Sequence, residues 1–203
     1  MDDLANDLDK LLYELKIEKC TLIGHSIGGK IAAVYAKHNS HKIDAIIFIS
    51  GTSIPIPEYN LEDSISIKLA TTKGMGAVAE YERQQKQGAE KTFEDEKEWN
   101  LFKGIFTKTS VEGFVAARNA LRTMPDDINN VLRNADCKLY GIVDSDDEVF
   151  MNLKSKMKQE IPKFNLKIIE GEGHWLILHN PEALDKVLEK FLTEINSQEA
   201  VQS

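Results

Sequence analysis

Two cysteines, Cys20 and Cys137, are all that this 203-residue sequence contains. Disulfides are typical of oxidising compartments, so a low cysteine content favours a reducing one. Long apolar runs are also missing, since no stretch approaches the roughly 18 apolar residues of a membrane-spanning helix. The acidic start Met1-Asp2-Asp3 does not resemble a secretory signal. The sequence therefore predicts a soluble, cytoplasmic protein with no membrane contact.

An excess of basic residues is absent as well. The chain has 25 Lys and Arg against 33 Asp and Glu, a formal net charge of −8. A nucleic-acid-binding protein normally presents a basic face, so we expect no nucleic-acid partner. No block of about five or six like charges suggests an interaction tail. We interpret the acidic balance as an aid to solubility.

Four short apolar runs predict buried strands. They are KCTLIG (19–24), IDAIIFIS (43–50), KLYGIV (138–143) and LKIIE (166–170). Nearly continuous apolar strands are typical of parallel sheets that helices cover on both faces. Segments with helical spacing flank these runs, among them residues 2–15, whose leucines share one face, and a last helix from Pro181 to about Ile195. The pattern predicts an α/β fold, a parallel sheet with helical crossovers.

An insertion interrupts the alternation of strands and helices. Residues 54–132 carry helical stretches with charged faces and no convincing strand. We therefore predict an α/β core from residues 1–53 and 133–203 with a helical cap at 54–132. The bulky apolar residues of the insertion are expected to form mostly the core of that cap; they are Phe93, Trp99, Phe102, Phe106, Phe114 and Met124.

The most specific motif is Gly24-His25-Ser26-Ile27-Gly28-Gly29, which lies between a predicted strand and a predicted helix. A turn this tight strains the serine backbone and lifts its hydroxyl clear of the sheet, and it needs small residues on either side. The backbone N–H of Ile27, at the start of the helix, would then point at a developing oxyanion. Because the motif and its context agree, we predict that Ser26 is a nucleophile rather than part of a glycine-rich turn.

A serine needs a base, and the base of such a site follows the nucleophile in the chain. His174 lies in the glycine-rich sequence Gly171-Glu172-Gly173-His174-Trp175, directly after the run LKIIE. From there it can reach across the rim of the sheet. Other histidines have plainer explanations, and His25, inside the turn, is expected to point away. We therefore predict His174 as the general base.

An acid that orients the base should follow KLYGIV, where the sequence reads Asp144-Ser145-Asp146-Asp147-Glu148. A calcium-binding loop is excluded, because Val149 and Ser155 stand where that loop needs glycine and glutamate. Most of these acids are interpreted as a solvated turn. We predict that Asp147 orients the His174 imidazole, with Asp146 as the alternative.

Taken together, GHSIGG, the strand with its acidic turn, and GEGHWLILHNPEALDKVLEKFL resemble the α/β-hydrolase superfamily, specifically its small capped members. The resemblance covers nearly the whole chain. Members usually read Gly-x-x-Asp at the acid turn, which assigns the catalytic place to Asp147 and puts Asp144 where glycine is usual. The resemblance implies a Ser26–Asp147–His174 triad, an oxyanion donor at Ile27, and no cofactor or metal.

Residues 1–15 resemble a helix that, in members of the family, follows several strands. Those strands carry a second oxyanion donor. Only four of about eight family strands can be assigned here, a partial α/β-hydrolase fold, so KCTLIG is expected at an open edge of the sheet. Either a second chain covers that edge or the sequence is a truncated product of a longer gene. We expect a homodimer that buries this strand or the Leu4–Leu15 face.

The predicted function is hydrolysis of an ester, lactone or related acyl substrate through a serine acyl-enzyme. The substrate is expected to be a small molecule with an apolar portion, because a cap over the serine would make a largely apolar pocket. The alternative is a non-catalytic or weakly active remnant, or a ligand-binding protein, since a missing oxyanion donor lowers rates by ~10²–10³. Cys20 and Cys137 are expected two strand spacings apart and therefore unpaired and inert.

Overall fold

The computed structural model describes residues 1–55, 59–84, 96–121, 124–125, 127–171 and 173–202. The chain divides into two compact units. The first comprises Met1–Ile54 and Met124–Ser203, and the second comprises Pro55–Thr123.

The first unit is built on a sheet of four strands, each parallel to its neighbour. In spatial order the strands are β1 (Cys20–His25), β2 (Ile43–Ile49), β3 (Lys138–Asp144) and β4 (Asn165–Ile169). The predicted α/β class with a parallel sheet is confirmed, and each strand begins and ends within a residue of its predicted bounds. Because all strands run in one direction, their carboxyl ends share one edge of the sheet.

Helices connect these strands and make up the second unit. In chain order they are α1 (Asp2–Glu14), α2 (Ile27–Asn39), α3 (Tyr59–Lys73), α4 (Met75–Gln84), α5 (Glu96–Phe106), α6 (Val111–Leu121), α7 (Ile128–Asn134), α8 (Glu148–Glu160), α9 (Leu176–His179) and α10 (Pro181–Gln202). No described helix is long and apolar enough to cross a membrane.

The sheet is buried on both faces, as its apolar strands predict. Side chains of β2 point alternately to the two faces. Ile46 and Phe48 belong to a cluster that includes buried residues of α1, α2, α7 and α8, whereas Ile47 and Ile49 pack with α9 and α10. Burying each such side chain contributes about 1.5–3 kcal/mol relative to exposure. This packing holds the carboxyl edge of the sheet rigid.

The last helix differs from its predicted length. It begins as expected, with Pro181 at its first position and with Asn180 Oδ1 accepting a hydrogen bond from the Ala183 N–H at 3.3 Å. It was expected to end near Ile195 but continues to Gln202. The residues between contain neither glycine nor proline, so nothing in them breaks a helix that is already formed.

The second unit is helical in its described residues. Its buried clusters join α3, α4 and α6 through Ala70, Val78 and Phe114. Aromatic rings of α5 and α6 form a continuous series, with centroids 5.9 Å apart for Trp99 and Phe102, 5.2 Å for Phe102 and Phe106, and 5.8 Å for Phe106 and Phe114. These residues pack within the unit. Phe93, which was expected to join them, lies outside the described residues.

The boundary after the insertion lies earlier than the predicted residue 132. The second unit ends at Thr123, and α7 belongs to the first unit. Ile128 and Leu132 of α7 are buried in the same cluster as Phe48, and Met124 packs against that cluster. The helix therefore covers the sheet.

Helix α1 buries only part of its apolar face. Leu12 is buried, whereas Leu4, Leu11 and Leu15 are 41, 54 and 58 % exposed. Strand β1 stands at the end of the strand order and pairs with β2 alone among the described strands. Ile23 of β1 is 47 % exposed. Exposed apolar side chains thus occur both on and just after α1 and on the edge strand β1, where Ile23 pairs with Ile47 on the face of the sheet opposite to α1.

Candidate active site

The turn at Ser26 is a sharp reversal between β1 and α2. Ser26 adopts φ 50° and ψ −115°, a conformation that L-residues rarely take, and α2 begins at the next residue. Gly24 makes the reversal possible, because a Cβ atom there would lie 2.4 Å from the carbonyl carbon of Gly28. Two backbone hydrogen bonds fix the strained residue: the Ser26 N–H donates to the Ile49 carbonyl at 3.0 Å, and the Ser26 carbonyl accepts from the Gly29 N–H at 3.1 Å.

The structure brings Ser26, His174 and Asp147 into one chain of hydrogen bonds. His174 Nε2 lies 3.2 Å from Ser26 Oγ, and His174 Nδ1 lies 2.9 Å from Asp147 Oδ2. A carboxylate can only accept, so Nδ1 carries the proton and Nε2 is left to accept from the serine hydroxyl. This tautomer is the one that a general base for Ser26 requires.

Asp147, and not Asp146, reaches the histidine because of how α8 begins. Asp147 is the N-cap of α8, where its Oδ1 accepts from the Phe150 N–H at 3.3 Å, and its other oxygen bonds His174. Asp147 as a whole is buried, with 3 % of its surface exposed. Asp146 is exposed and uses its backbone N–H to bond Asp144 Oδ1 at 2.8 Å. The capping position therefore selects between the two neighbouring acids.

Asp144, in the place where the resembled family has glycine, is fully buried beside the histidine loop. A Cβ atom on Gly171 would lie 2.2 Å from Asp144 Oδ2. The larger side chain at residue 144 is thus accommodated by the lack of one at residue 171. The departure from the family pattern is matched within the loop that carries His174.

Aromatic rings surround the His174 imidazole. The Phe150 ring centroid lies 4.7 Å from it and that of His25 lies 5.2 Å from it. Since the His174 side chain is 16 % exposed, little of the ring faces solvent. These contacts restrict the imidazole to the plane in which it can bond both Ser26 and Asp147.

His25 contacts His174 instead of pointing away from it, which corrects the expectation for this residue. Its Nε2 lies 3.1 Å from the backbone carbonyl oxygen of His174, and its ring centroid lies 5.4 Å from that of Trp175. Burial lowers the pKa of His25 below its usual value, while the hydrogen bond to His174 and the charge of Asp147 oppose that shift.

A buried lysine lies two turns beyond Asp147 in α8. Lys154 Nζ donates to the Phe48 carbonyl at 3.0 Å, and it lies 5.1 and 5.3 Å from the ring centroids of Phe48 and Phe164. Lys154 is fully buried. Burial holds the pKa of this amine well below its usual range, against an opposing effect of the Asp147 carboxylate. The sequence around it, with Asn152, Ser155 and Lys156 close by, gave no sign of a buried position.

Neither cysteine takes part in the site. Cys20 and Cys137 are free thiols, and burial raises the pKa of each. A raised pKa disfavours the reactive thiolate. Among the described residues there is no group of three or more His, Cys, Asp and Glu side chains that could hold a metal ion.

Known proteins share this arrangement of elements. A family model described as the alpha/beta hydrolase fold matches residues 1–92. A crystal structure from a study of carboxylesterases of the ammonia-oxidizing thaumarchaeon Nitrososphaera gargenis is 42 % identical, with a TM-score of 0.88 over 97 % of this chain and 73 % of that one.

More distant relatives are similar over nearly the whole chain as well. A putative carbamate hydrolase RutD of Caulobacter sp. is 22 % identical over 94 % of this chain and 71 % of its own length. The structure of MenH from S. aureus, 23 % identical, has a TM-score of 0.81 over 96 % of this chain and 76 % of that one. At this identity the likeness concerns the fold.

Proposed function

The chain belongs to the α/β-hydrolase family, and on that premise we propose that it hydrolyses a carboxylic ester, a lactone or a related acyl compound through a serine acyl-enzyme. The observation that carries the proposal is the hydrogen-bonded series Ser26–His174–Asp147. The relationship to carboxylesterases supports the substrate class.

In the acylation step Ser26 Oγ attacks the substrate carbonyl carbon while its proton passes to His174 Nε2. The carbonyl π electrons move to oxygen and form the tetrahedral oxyanion. As the intermediate collapses, the bond to the alkoxy group breaks and His174 returns the proton to the leaving alcohol. The distance of 3.2 Å between Oγ and Nε2 is within reach for the first transfer, since such contacts shorten when substrate binds.

In the deacylation step a water molecule takes the place of the alcohol. His174 accepts a proton from the water, whose oxygen attacks the acyl carbon, and then protonates Ser26 Oγ as the acid leaves. Asp147 accepts the hydrogen bond from His174 Nδ1 throughout and stabilises the imidazolium that forms twice in each cycle.

The N-terminus of α2 supports the role proposed for Ile27. Ile27 is the first residue of α2 and follows Ser26 directly, so its N–H belongs to the first turn, where helix donors face outward. The helix dipole favours negative charge at this end. We assign the Ile27 N–H as one donor to the oxyanion.

Covalent labelling with a fluorophosphonate tests the proposal. The wild-type chain should be modified once, at Ser26, and should turn over a simple aryl ester such as p-nitrophenyl acetate. Ser26→Ala should lose both activities while keeping its circular dichroism spectrum. Labelling that persists in the variant, or that maps to another serine, contradicts the assignment. A folded wild-type chain that is neither labelled nor active would support a non-catalytic protein.

A further inference from the structure

We propose that His25 is a positioning residue for the general base, which it holds through the backbone of His174. The inference rests on the proposed function, because it concerns how the base is placed for Ser26. Two adjacent residues at the end of β1 thereby contact the same histidine. Ser26 forms a hydrogen bond with the side chain of His174, and His25 forms one with its main chain.

The hydrogen bond between the two histidines has only one possible direction. A backbone carbonyl oxygen accepts and cannot donate, so His25 Nε2 must carry a proton. At 3.1 Å the contact is an ordinary N–H···O bond, and it joins residues 149 positions apart in the chain. The bond therefore ties the loop after β4 to the end of β1.

The loop that carries His174 needs such an anchor because its own backbone is permissive. Gly173 adopts φ 97°, a conformation favoured by glycine, and Gly171 lies two residues earlier. Glycine loses more conformational freedom on ordering than any other residue. Without a contact to its main chain, the orientation of the imidazole would depend only on the contacts of the ring itself with Asp147, Ser26 and Phe150.

His25 itself stands on the rigid part of the molecule. It is the last residue of β1 and pairs in register with Ile49 of β2. Its ring lies 5.2 Å from the His174 ring and 5.4 Å from the Trp175 ring, so the residues of the loop pack against it as well as bonding to it. Contacts with a strand of the sheet thus set both the position and the orientation of the loop.

The charge state of His25 suits this role. The pKa of His25 is lowered, mainly by burial. The titratable groups that also affect this pKa are His174 and Asp147. A neutral ring beside His174 does not repel the imidazolium that forms there during catalysis. A lysine or arginine at position 25 could donate the same hydrogen bond but would place a permanent positive charge next to the base.

Two substitutions separate the donor from the ring. His25→Phe keeps an aromatic ring against Trp175 and removes the N–H, whereas His25→Gln removes the ring and keeps an amide N–H at a similar reach. For p-nitrophenyl acetate, His25→Phe should lower kcat by about 10- to 100-fold with KM changed less than about twofold, since small misplacements of a reacting group cost rates of this order. His25→Gln should restore kcat to within about fivefold of the wild type.

The rate of fluorophosphonate labelling should follow kcat in both variants, because it reports on activation of Ser26 without substrate turnover. If His25→Phe keeps the wild-type kcat, or if both variants lose kcat equally, the inference is wrong. If the wild-type chain is not labelled at all, the proposed function fails and the inference fails with it. Labelling of the wild type together with an unimpaired Phe variant overturns only the role of His25.

A measurement on the unaltered chain keeps the inference testable even where a variant does not fold. The nitrogen chemical shifts of histidine side chains distinguish the two neutral tautomers. At pH 8, His25 should be protonated at Nε2 and His174 at Nδ1. A His25 ring protonated at Nδ1 cannot donate to the His174 carbonyl and would overturn the inference.

Discussion

The carboxylate of Asp144 lies where a side chain on residue 171 would have to be. A Cβ atom on Gly171 would come within 2.2 Å of Asp144 Oδ2, and Asp144 is fully buried. The turn after β3 and the loop after β4 that carries His174 are therefore fitted to each other at this point.

Gly171→Ala should therefore destabilise the protein and misplace the base. Forcing a methyl group into this space costs about 1–3 kcal/mol, as overpacking of a buried site does. The expected result is a lower free energy of unfolding in a denaturant titration and a lower kcat for an aryl ester. In the double variant Gly171→Ala/Asp144→Ala the clash is removed, so the two effects should be less than additive. Additive losses would show that the two positions do not compete for space.

Asp147→Asn should reduce kcat by roughly 10⁴-fold, because an amide that donates to His174 favours the wrong tautomer of the base. Asp146→Asn is the matched control, since it removes the same charge from the neighbouring residue, whose side chain is exposed. It should change kcat by less than about threefold. The measurement is initial-rate kinetics at saturating ester, and the opposite ranking of the two variants would move the role to Asp146.

Lys154 should make stability depend on pH in a definite direction. Its pKa in the folded protein lies well below its unfolded value, so between these two values the unfolded chain binds the extra proton. The free energy of unfolding must therefore rise as pH rises through that window, with a slope of up to about 1.4 kcal/mol per pH unit from this group. It falls as pH drops towards the folded pKa.

Lys154→Met isolates this effect, because it keeps the length of the side chain and removes the titratable amine. Denaturant titrations between pH 6 and pH 9 should show a flatter profile for the variant than for the wild type, although the variant also loses the hydrogen bond to the Phe48 carbonyl. Comparing the two proteins cancels the contribution of His25, whose pKa is also lowered. Parallel profiles would contradict the prediction.

Exposed apolar side chains at α1 and on the edge strand β1 lead us to propose that two copies of this chain associate. Leu11 and Leu15 are more than half exposed, and Ile23 lies on a strand with one neighbour among the described residues. Contiguous apolar patches and open strand edges usually mark sites of association. Sedimentation at micromolar concentration should show a homodimer, and a monomer would contradict the proposal.

Substitutions can tell which of these two regions forms the contact. Leu11→Glu/Leu15→Glu charges the α1 face, and Ile23→Lys charges the strand edge. One of the two should produce monomers. Leu101→Glu is the matched control, since Leu101 is also exposed but lies in α5. Dissociation by the control alone would place the interface elsewhere.

The sequence predicted the sheet well because each strand is a short apolar run ended by a polar residue or glycine, a local pattern that burial on both faces imposes. The loop that carries His174 and the turn at Ser26 could also be predicted from short local motifs. The boundary of the insertion could not be predicted in this way, because Ile128 and Leu132 would have helical spacing in α7 whether the helix covers a sheet or another helix. Only the packing against Phe48 decides between these cases.

The sequence favoured Asp147 over Asp146 only through the family pattern, and the physical reason for the preference needed three dimensions. Two neighbouring carboxylates look alike in a sequence, and what separates them is that Asp147 caps α8. His25 was missed for a related reason. It directly precedes Ser26 at the end of β1, where the alternation of strand side chains no longer fixes the direction of a side chain. Its partner is a backbone carbonyl, and such a partner has no signature in the sequence.

Ser26 keeps its backbone at φ 50° and ψ −115°, a conformation that glycine adopts freely and serine does not. Replacing it with glycine should therefore raise the melting temperature while removing the hydroxyl that the proposed chemistry requires. A chain selected only for robustness would discard this serine, and one selected for turnover must retain it. The turn at Ser26 thus sets durability against reactivity at a single position.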